Sequence, residues 1–377
     1  MIQEEKDRIK RLNKMKQDGV NPYPARVNKT HTVKEYIARF DEFFENKKTV
    51  TLTGRAKTIR KHGGLTFVSI QENSSVFQLV LRRDHMGEDL YHYFNDISDI
   101  GDFVEATGVA FVTKKGQNSL DVKEIRVITK TILPLPEKWH GLNDVEVRYR
   151  KRYLDLIAND NVKDIFIKRA LIIKTIRDYL DEFGFLEVET PILQPIPGGA
   201  SAKPFLTHHN ALDEDMYLRI APELYLKRCV VGGLDRVYEV ARCFRNEGID
   251  HSHNPEFTQI EGYVAYMDYK ELMNFLETMI IKVIDKIGLD HQSIKFQGNI
   301  LNFSAPWTRK TFRELMIEYG DFDIEEFETR DDLAQIAIKH NVPVDKTDSK
   351  MTIIDNLYKH LARPKIIQPT YITDYPV

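Results

Sequence analysis

Arg242-Cys-Phe-Arg-Asn-Glu-Gly-Ile-Asp-His-Ser-His-Asn-Pro-Glu-Phe-Thr-Gln-Ile-Glu-Gly-Tyr263 reads as two strands joined by a polar loop. Side chains in a strand alternate between faces. In the first strand Glu239, Ala241, Cys243 and Arg245 therefore share one face, with Tyr238, Val240 and Phe244 opposite. In the second, Phe257, Gln259, Glu261 and Tyr263 share a face, and Ile260 and Val264 point the other way. Antiparallel pairing across the loop 246–256 would make a floor carrying a guanidinium, two carboxylates, a Phe and a Tyr, with small Ala241 and Cys243 leaving room above it. An aromatic face, a planar cationic fork and a carboxylate match an adenine ring, a phosphate and an amine. A half-buried hairpin with an ordinary polar face is the better account of any one of these residues. It accounts less well for all of them together, because such faces are normally built from flexible Lys and Thr.

Phe244-Arg-Asn-Glu-Gly248 followed by His253-Asn-Pro-Glu-Phe257 resembles motif 2 of class II lysyl-tRNA synthetases. Gly184-Phe-Leu-Glu-Val-Glu-Thr-Pro191 is similar to motif 1 of that family. Ile196-Pro-Gly-Gly-Ala-Ser-Ala-Lys-Pro-Phe205 and Ile220-Ala-Pro-Glu-Leu-Tyr-Leu-Lys-Arg228 resemble its amino-acid pocket segments, and Arg148-Tyr-Arg-Lys-Arg-Tyr-Leu-Asp-Leu156 its interdomain segment. The resemblance runs from about residue 10 onward. It implies ATP-dependent activation of L-lysine and transfer to tRNA(Lys), with a homodimer formed through motif 1.

At 377 residues and a net charge of −3 the composition is that of an ordinary soluble protein. That length can bury two or three cores. No apolar run is long enough to span a bilayer, and the charged N-terminus does not read as a signal segment, so a cytoplasmic address is expected, with no membrane partner. Cys229 and Cys243 are the only cysteines, too few for a disulfide framework and without zinc-site spacing; no metal ligands are assigned. The charge is uneven. Residues 1–61 hold 16 Lys and Arg against 8 Asp and Glu, so +8 there leaves −11 for the rest. A basic front on an acidic body suggests a polyanion held at one end and chemistry at the other, although a solvated N-terminal helix over residues 4–17 would give the same excess.

The expected fold class is α+β. After an N-terminal helical basic segment (1–47), residues 48–133 show only strand patterns and turn residues. Five short strands fit a small closed barrel of the oligonucleotide-binding (OB) kind. Pro134-Leu-Pro136 opens an Arg-rich linker (134–158). A catalytic domain (159–377) then follows, built on an antiparallel sheet flanked by helices. Its first helix is capped by Asn159 or Asp160, carries Val162, Phe166, Ile173, Ile176, Leu180 and Phe183 on one stripe, and stops at Gly184. Apolar spacing also predicts a helix over 269–287 and a helical insertion over 312–361. There is no Gly-rich phosphate loop, so a nucleotide would have to be held by side chains on a sheet.

Adenylation needs no protein nucleophile: the substrate carboxylate attacks the α-phosphate of ATP, and catalysis is positioning and charge neutralisation. Arg245 is the expected catalytic group, because a planar fork can bridge carboxylate and phosphate; a salt bridge to Glu239 or Glu247 is its plainer role. The resemblance implies that Phe257 stacks on adenine and that Glu247, His253 and Asn254 order the loop and contact the nucleotide. Glu261 and Tyr263 suit the lysine ε-ammonium, since a desolvated cation needs a carboxylate and further acceptors. Glu223 follows Pro222 at a helix start, where the dipole alone favours an acid. The resemblance assigns it to the substrate α-amino group, with Gly199 allowing close backbone approach. In the barrel, Phe67 and Gln78 are implied as the partners of a central anticodon uridine, and Arg55, Arg60 and Lys61 as phosphate contacts.

The family's third motif and its C-terminal carboxylates, which would hold Mg2+ and complete the lysine pocket, have no counterpart up to Val377. A sequence truncated before motif 3, with weakened lysine activation, is the expectation. Gly262 is expected to loosen its strand. Two other readings are a catalytically incomplete tRNA-binding paralogue and an aspartyl- or asparaginyl-type synthetase; Glu223 and Glu261 would repel an acidic substrate side chain.

Overall fold

The computed structural model describes residues 2–135, 142–250 and 252–376, with Asp160 described by its backbone only. Met1, residues 136–141 of the expected linker, His251 of the loop and the terminal Val377 lie outside the described residues, as does any capping by the Asp160 side chain. The chain forms two compact units, Met1–Phe166 and Ile167–Val377.

In the first unit, five strands, Val50–His62, Leu65–Glu72, Ser75–Arg82, Phe103–Val112 and Asn118–Thr129, close into the expected barrel. Their inward residues, among them Leu52, Val68, Ile70, Leu79, Leu81, Val104 and Leu120, are fully buried. Strand patterns do not account for the whole segment. Glu88–Ile97 is a helix that turns Tyr91, Phe94 and Ile97 into the barrel core, preceded by a single turn at Arg83–Met86. The N-terminal helix Gln3–Gln17 exposes Lys6, Lys10 and Lys16 but packs its other side on the unit. Met15 is fully buried, Arg11 pairs with Asp99 at 2.5 Å and Lys14 with Asp96 at 3.2 Å. Arg8, itself buried, donates to the carbonyls of Ile100 (3.1 Å) and Thr131 (3.3 Å). Part of the basic excess is therefore spent inside the unit. Within the expected linker, Val145–Arg150 and Arg152–Ala158 are helices tied together by buried Asp155, which accepts from Arg148 at 2.9 Å and Arg152 at 2.5 Å.

The second unit is built on the hairpin Arg236–Phe244 and Glu256–Val264, with Leu186–Glu187 added in parallel at the edge. One face of this sheet packs on helices. Tyr179 and Leu180 of the helix Asp160–Glu182 and Phe275 of the helix Tyr269–Lys286 enclose Tyr238 and Phe185, with Val240, Ile260 and Val264 against them. The stripe expected on the first of these helices is only partly internal. Val162 and Leu180 are buried, whereas Phe166 is 46% and Phe183 41% exposed. Gly262 does not loosen its strand. The pairing runs unbroken through Tyr238↔Gly262, and a Cβ there would lie 3.3 Å from the Tyr238 Cβ, so glycine lets that ring seat in the core.

Residues 312–361 carry three helices, Phe312–Gly320, Arg330–Lys339 and Lys350–Leu361, which enclose their own core of Leu315, Met316, Leu333, Ile353 and Leu357. It connects Thr308–Thr311 to Thr370–Thr373, which pair in parallel. Parallel neighbours cannot be joined by a tight turn, so a crossover of this kind is required.

Candidate active site and nucleic-acid face

The hairpin face opposite the helices is the expected floor. The register pairs Glu239 with Glu261, Ala241 with Gln259 and Cys243 with Phe257, so all six side chains emerge on one side. The two carboxylates play different parts. Glu239 is buried and accepts from Arg219 Nη1 (2.5 Å), Thr190 Oγ1 (2.6 Å) and Thr190 N (3.2 Å). Arg219 in turn donates from Nε to the carbonyl of Arg242 (2.8 Å) and from Nη1 to that of Thr190 (3.0 Å). This closed ion pair ties three segments beneath the floor and leaves Glu239 no capacity for a ligand cation. Arg219 precedes the pocket segment Ile220–Arg228; its role depends on a contact 20 residues away and has no local sequence signal.

Glu261 is differently held. Tyr263 donates its hydroxyl to Oε1 (2.8 Å) and Gln259 its amide to Oε2 (2.7 Å), so the carboxylate is oriented by two neutral donors. Burial, and then the hydrogen bond to Glu261 with the charges of Glu261 and Glu223, push the Tyr263 phenol well above its ordinary range. Tyr263 thus stays protonated and donates.

Arg245 lies one residue past the strand end, with its backbone N–H on the Pro255 carbonyl (2.8 Å), extending the ladder. Its guanidinium carbon is 5.0 Å from the Phe257 ring centroid. Among the described residues it makes no salt bridge to Glu239 or Glu247, and its buried Nε has no hydrogen-bond partner. A buried donor left unpaired is costly, so this nitrogen is poised for an acceptor from outside the chain. The side-chain carbonyl oxygen of Gln259 on the same face is likewise buried and, among the described residues, unpaired.

The loop beyond is pinned to the glycine-rich segment 196–205: Asn246 N donates to the Lys203 carbonyl (2.7 Å) and Glu247 accepts from Lys203 N (3.3 Å). Glu247 thus acts on the loop backbone. His253 is exposed and pairs through Nδ1 with Asp250 (2.7 Å); Asp250 also accepts from the backbone N–H groups of Ser252 and His253. The Ser252 and His253 bonds hold the Asp250 carboxyl well below its usual range. Asn254 is exposed on the same loop.

Glu223 begins the helix Glu223–Val231, and Gly199, at φ +86°, presses against it. A Cβ at Gly199 would lie 2.8 Å from the Glu223 Cβ and 3.2 Å from that of Ala221. Both obstacles are fixed carbons, and the backbone angle itself disfavours a side chain. Gly199→Ala should therefore lower stability by about 1–3 kcal/mol in denaturant melts.

On the barrel, Phe67 does not sit in the core. It is half-buried on the outward face, with His62 edge-on at 6.2 Å. The registers Phe67↔Val80, Ser69↔Gln78 and Gln78↔Ser119 put Phe67 and Gln78 on that face as diagonal neighbours. Gln78, only 7% exposed, donates to Ser119 Oγ at 3.0 Å. Arg55 is paired with Gln71 on that same face, with its guanidinium stacked on Phe103 at 4.3 Å and donating to the Gly101 carbonyl. Arg60 is exposed, and Lys61 donates to the Asn95 carbonyl.

Comparison with known proteins bears on both units. Residues 144–377 match the family model of class II tRNA synthetases (D, K and N), and residues 50–128 match that of the OB-fold nucleic acid binding domain. The lysine–tRNA ligase of Moorella thermoacetica is 45% identical over 370 residues, covering 98% of this chain and 75% of that protein. The chain belongs to the lysine–tRNA ligase family of class II tRNA synthetases. Two further lysine–tRNA ligases are similarly related: that of Dehalococcoides mccartyi at 42% identity (98% of this chain, 75% of the relative) and that of Syntrophomonas wolfei at 44% (99% and 75%). The strand-by-strand barrel and the α+β unit after it are the folds these families lead one to expect. No helix among the described residues is long and apolar enough to cross a membrane.

Proposed function

We propose that this chain activates L-lysine with ATP and transfers it to tRNA(Lys), with the hairpin floor as the adenylation site. The observation that carries the assignment is the buried, unpartnered Arg245 Nε beside Phe257, on the same face as the oriented Glu261 carboxylate. In this reading adenine stacks on Phe257 while Arg245 bridges the lysine carboxylate and the α-phosphate and takes up transition-state charge. Glu247, His253 and Asn254 order the loop around the nucleotide. Glu261 and Tyr263 receive the ε-ammonium; Glu223, with Gly199 close above it, receives the α-amino group.

Magnesium accompanies ATP in such reactions by neutralising phosphate charge. Among the described residues no three His, Cys, Asp or Glu side chains converge on a possible metal position, so none is assigned as a ligand and no step depends on one. Dimerisation through motif 1 is part of the proposal, supported by the exposed Leu186, Ile192 and Leu193 in and just after that segment. A cytoplasmic location goes with it.

The test is ATP–pyrophosphate exchange driven by each amino acid in turn. Exchange with lysine and none with aspartate or asparagine is expected; the reverse order would overturn the assignment. For the barrel, Phe67 stacks on an unpaired anticodon base in this proposal, with Gln78 beside it. Stacking on an aromatic ring is worth about 1–3 kcal/mol per base. Phe67→Ala should therefore weaken tRNA(Lys) binding by roughly tenfold, measured by filter binding, and leave lysine-dependent exchange untouched.

A further inference from the structure

Lys227 lies one turn after Glu223 on the helix Glu223–Val231, and its Nζ is 2.5 Å from Glu223 Oε1. The same nitrogen is 5.7 Å from the centroid of the Tyr263 ring, within cation–π range. The hydroxyl of that ring is bonded to Glu261. The chain's own ammonium thus lies among the three side chains proposed to receive the substrate's ammonium groups, and chemically it is the same group.

We infer that Lys227 is an internal competitor for lysine: in the free protein it neutralises Glu223, and the α-ammonium of the incoming amino acid displaces it. This inference rests on the proposed assignment of Glu223 to the substrate amine. Several features favour exchange over a fixed structural pair. The Lys227 side chain is 55% exposed against 27% for Glu223, so the stem reaches in from solvent and can withdraw by rotation about its own bonds. Among the described residues its Nζ meets no second carboxylate, so little holds it once Glu223 is taken. An exposed i, i+4 pair of this kind is weak, whereas an amino acid held at both ends replaces it with several contacts at once. Neutralising Glu223 between turnovers also keeps a half-buried carboxylate from remaining uncompensated. The cost is affinity: lysine binds only to the fraction of molecules in which the site is open.

Calorimetry on the full chain tests this. Lys227→Met should tighten the Kd for L-lysine by about two- to fivefold, the factor expected for removing one exposed ion pair. The Kd for ATP should not move, and Lys227→Arg should stay near the unaltered protein. In the Glu223→Gln background, where nothing remains to compete for, Lys227→Met should have no further effect. A lysine Kd that is unchanged or weaker in Lys227→Met, or an equal shift in the Kd for ATP, overturns the inference. If Glu223→Gln alone leaves lysine binding intact, the assignment of Glu223 to the substrate amine fails instead. A merely structural helix pair would shift the thermal midpoint and none of the ligand constants.

Discussion

Replacing Arg245 by lysine is expected to lower lysine-dependent ATP–pyrophosphate exchange by about 10²-fold or more, with a smaller change in the Kd for ATP. Removing one preorganised donor from a developing oxyanion typically costs that much in rate. The substitution keeps the charge, so the loss isolates geometry. A guanidinium offers several N–H groups in one plane and can hold carboxylate and phosphate together; an ammonium is a point charge on a flexible stem and serves one partner at a time. Two structural facts make the position demanding. The Arg245 backbone is clamped to Pro255, which fixes where the side chain starts, and the guanidinium carbon lies 5.0 Å from the Phe257 centroid. The Nε hydrogen of Arg245 is buried and, among the described residues, unpaired, and lysine has no atom to offer there. Single-turnover adenylate formation checks the prediction with binding and chemistry separated. A fall of less than tenfold would remove Arg245 from the catalytic role.

The floor containing this residue was legible in the sequence because strand alternation has a period of two. Once Ile260 and Val264 are read as core-facing, Phe257, Gln259, Glu261 and Tyr263 must share the other face, and the observed register agrees pair by pair. What period and composition cannot express is which partner a charge finds. Glu239 and Glu261 are equivalent by alternation and stand directly opposite each other, yet one is neutralised by Arg219 and the other is held by Tyr263 and Gln259. The same limit applies to the N-terminal helix, whose basic residues meet Asp96 and Asp99 some eighty residues on. Charge counting treats them as free for a polyanion; packing has already used several. The helix Glu88–Ile97 is a different case. Tyr91, Phe94 and Ile97 recur at three-residue spacing after Gly87, a helical signal, but ten residues between strong strands are easily absorbed into an all-β pattern. Asp250 left a local signal that motif reading passed over: Asp followed by Ser252 two residues on is a common turn-forming arrangement, and its carboxylate gathers the loop that carries His253.

Because Glu261 is oriented by two neutral donors and, among the described residues, by no cation, Glu261→Gln should have the second large effect, on lysine recognition. The substitution is nearly isosteric and removes one negative charge. Truncating one partner of a desolvated charge pair costs about 2–5 kcal/mol, which places the expected rise in KM for lysine near 10²-fold. The neighbouring hydrogen bonds aggravate the change. Tyr263 and Gln259 each donate to Glu261 (2.8 and 2.7 Å), and a glutamine must present its NH2 to one of these donors, so one bond is lost or a side chain rotates. Selectivity should change with affinity. A half-buried carboxylate that the bound substrate covers rejects a neutral analogue because the analogue leaves the charge unpaired; with the charge gone, that penalty goes too. Norleucine, which keeps the carbon chain of lysine without its ammonium, should therefore lose much of its disadvantage in the Glu261→Gln protein, through weaker lysine binding and through relief of its own exclusion. Competition of norleucine against lysine in pyrophosphate exchange measures this directly. An unchanged preference for lysine, with lysine KM raised less than about fivefold, would move the ε-ammonium receptor away from Glu261.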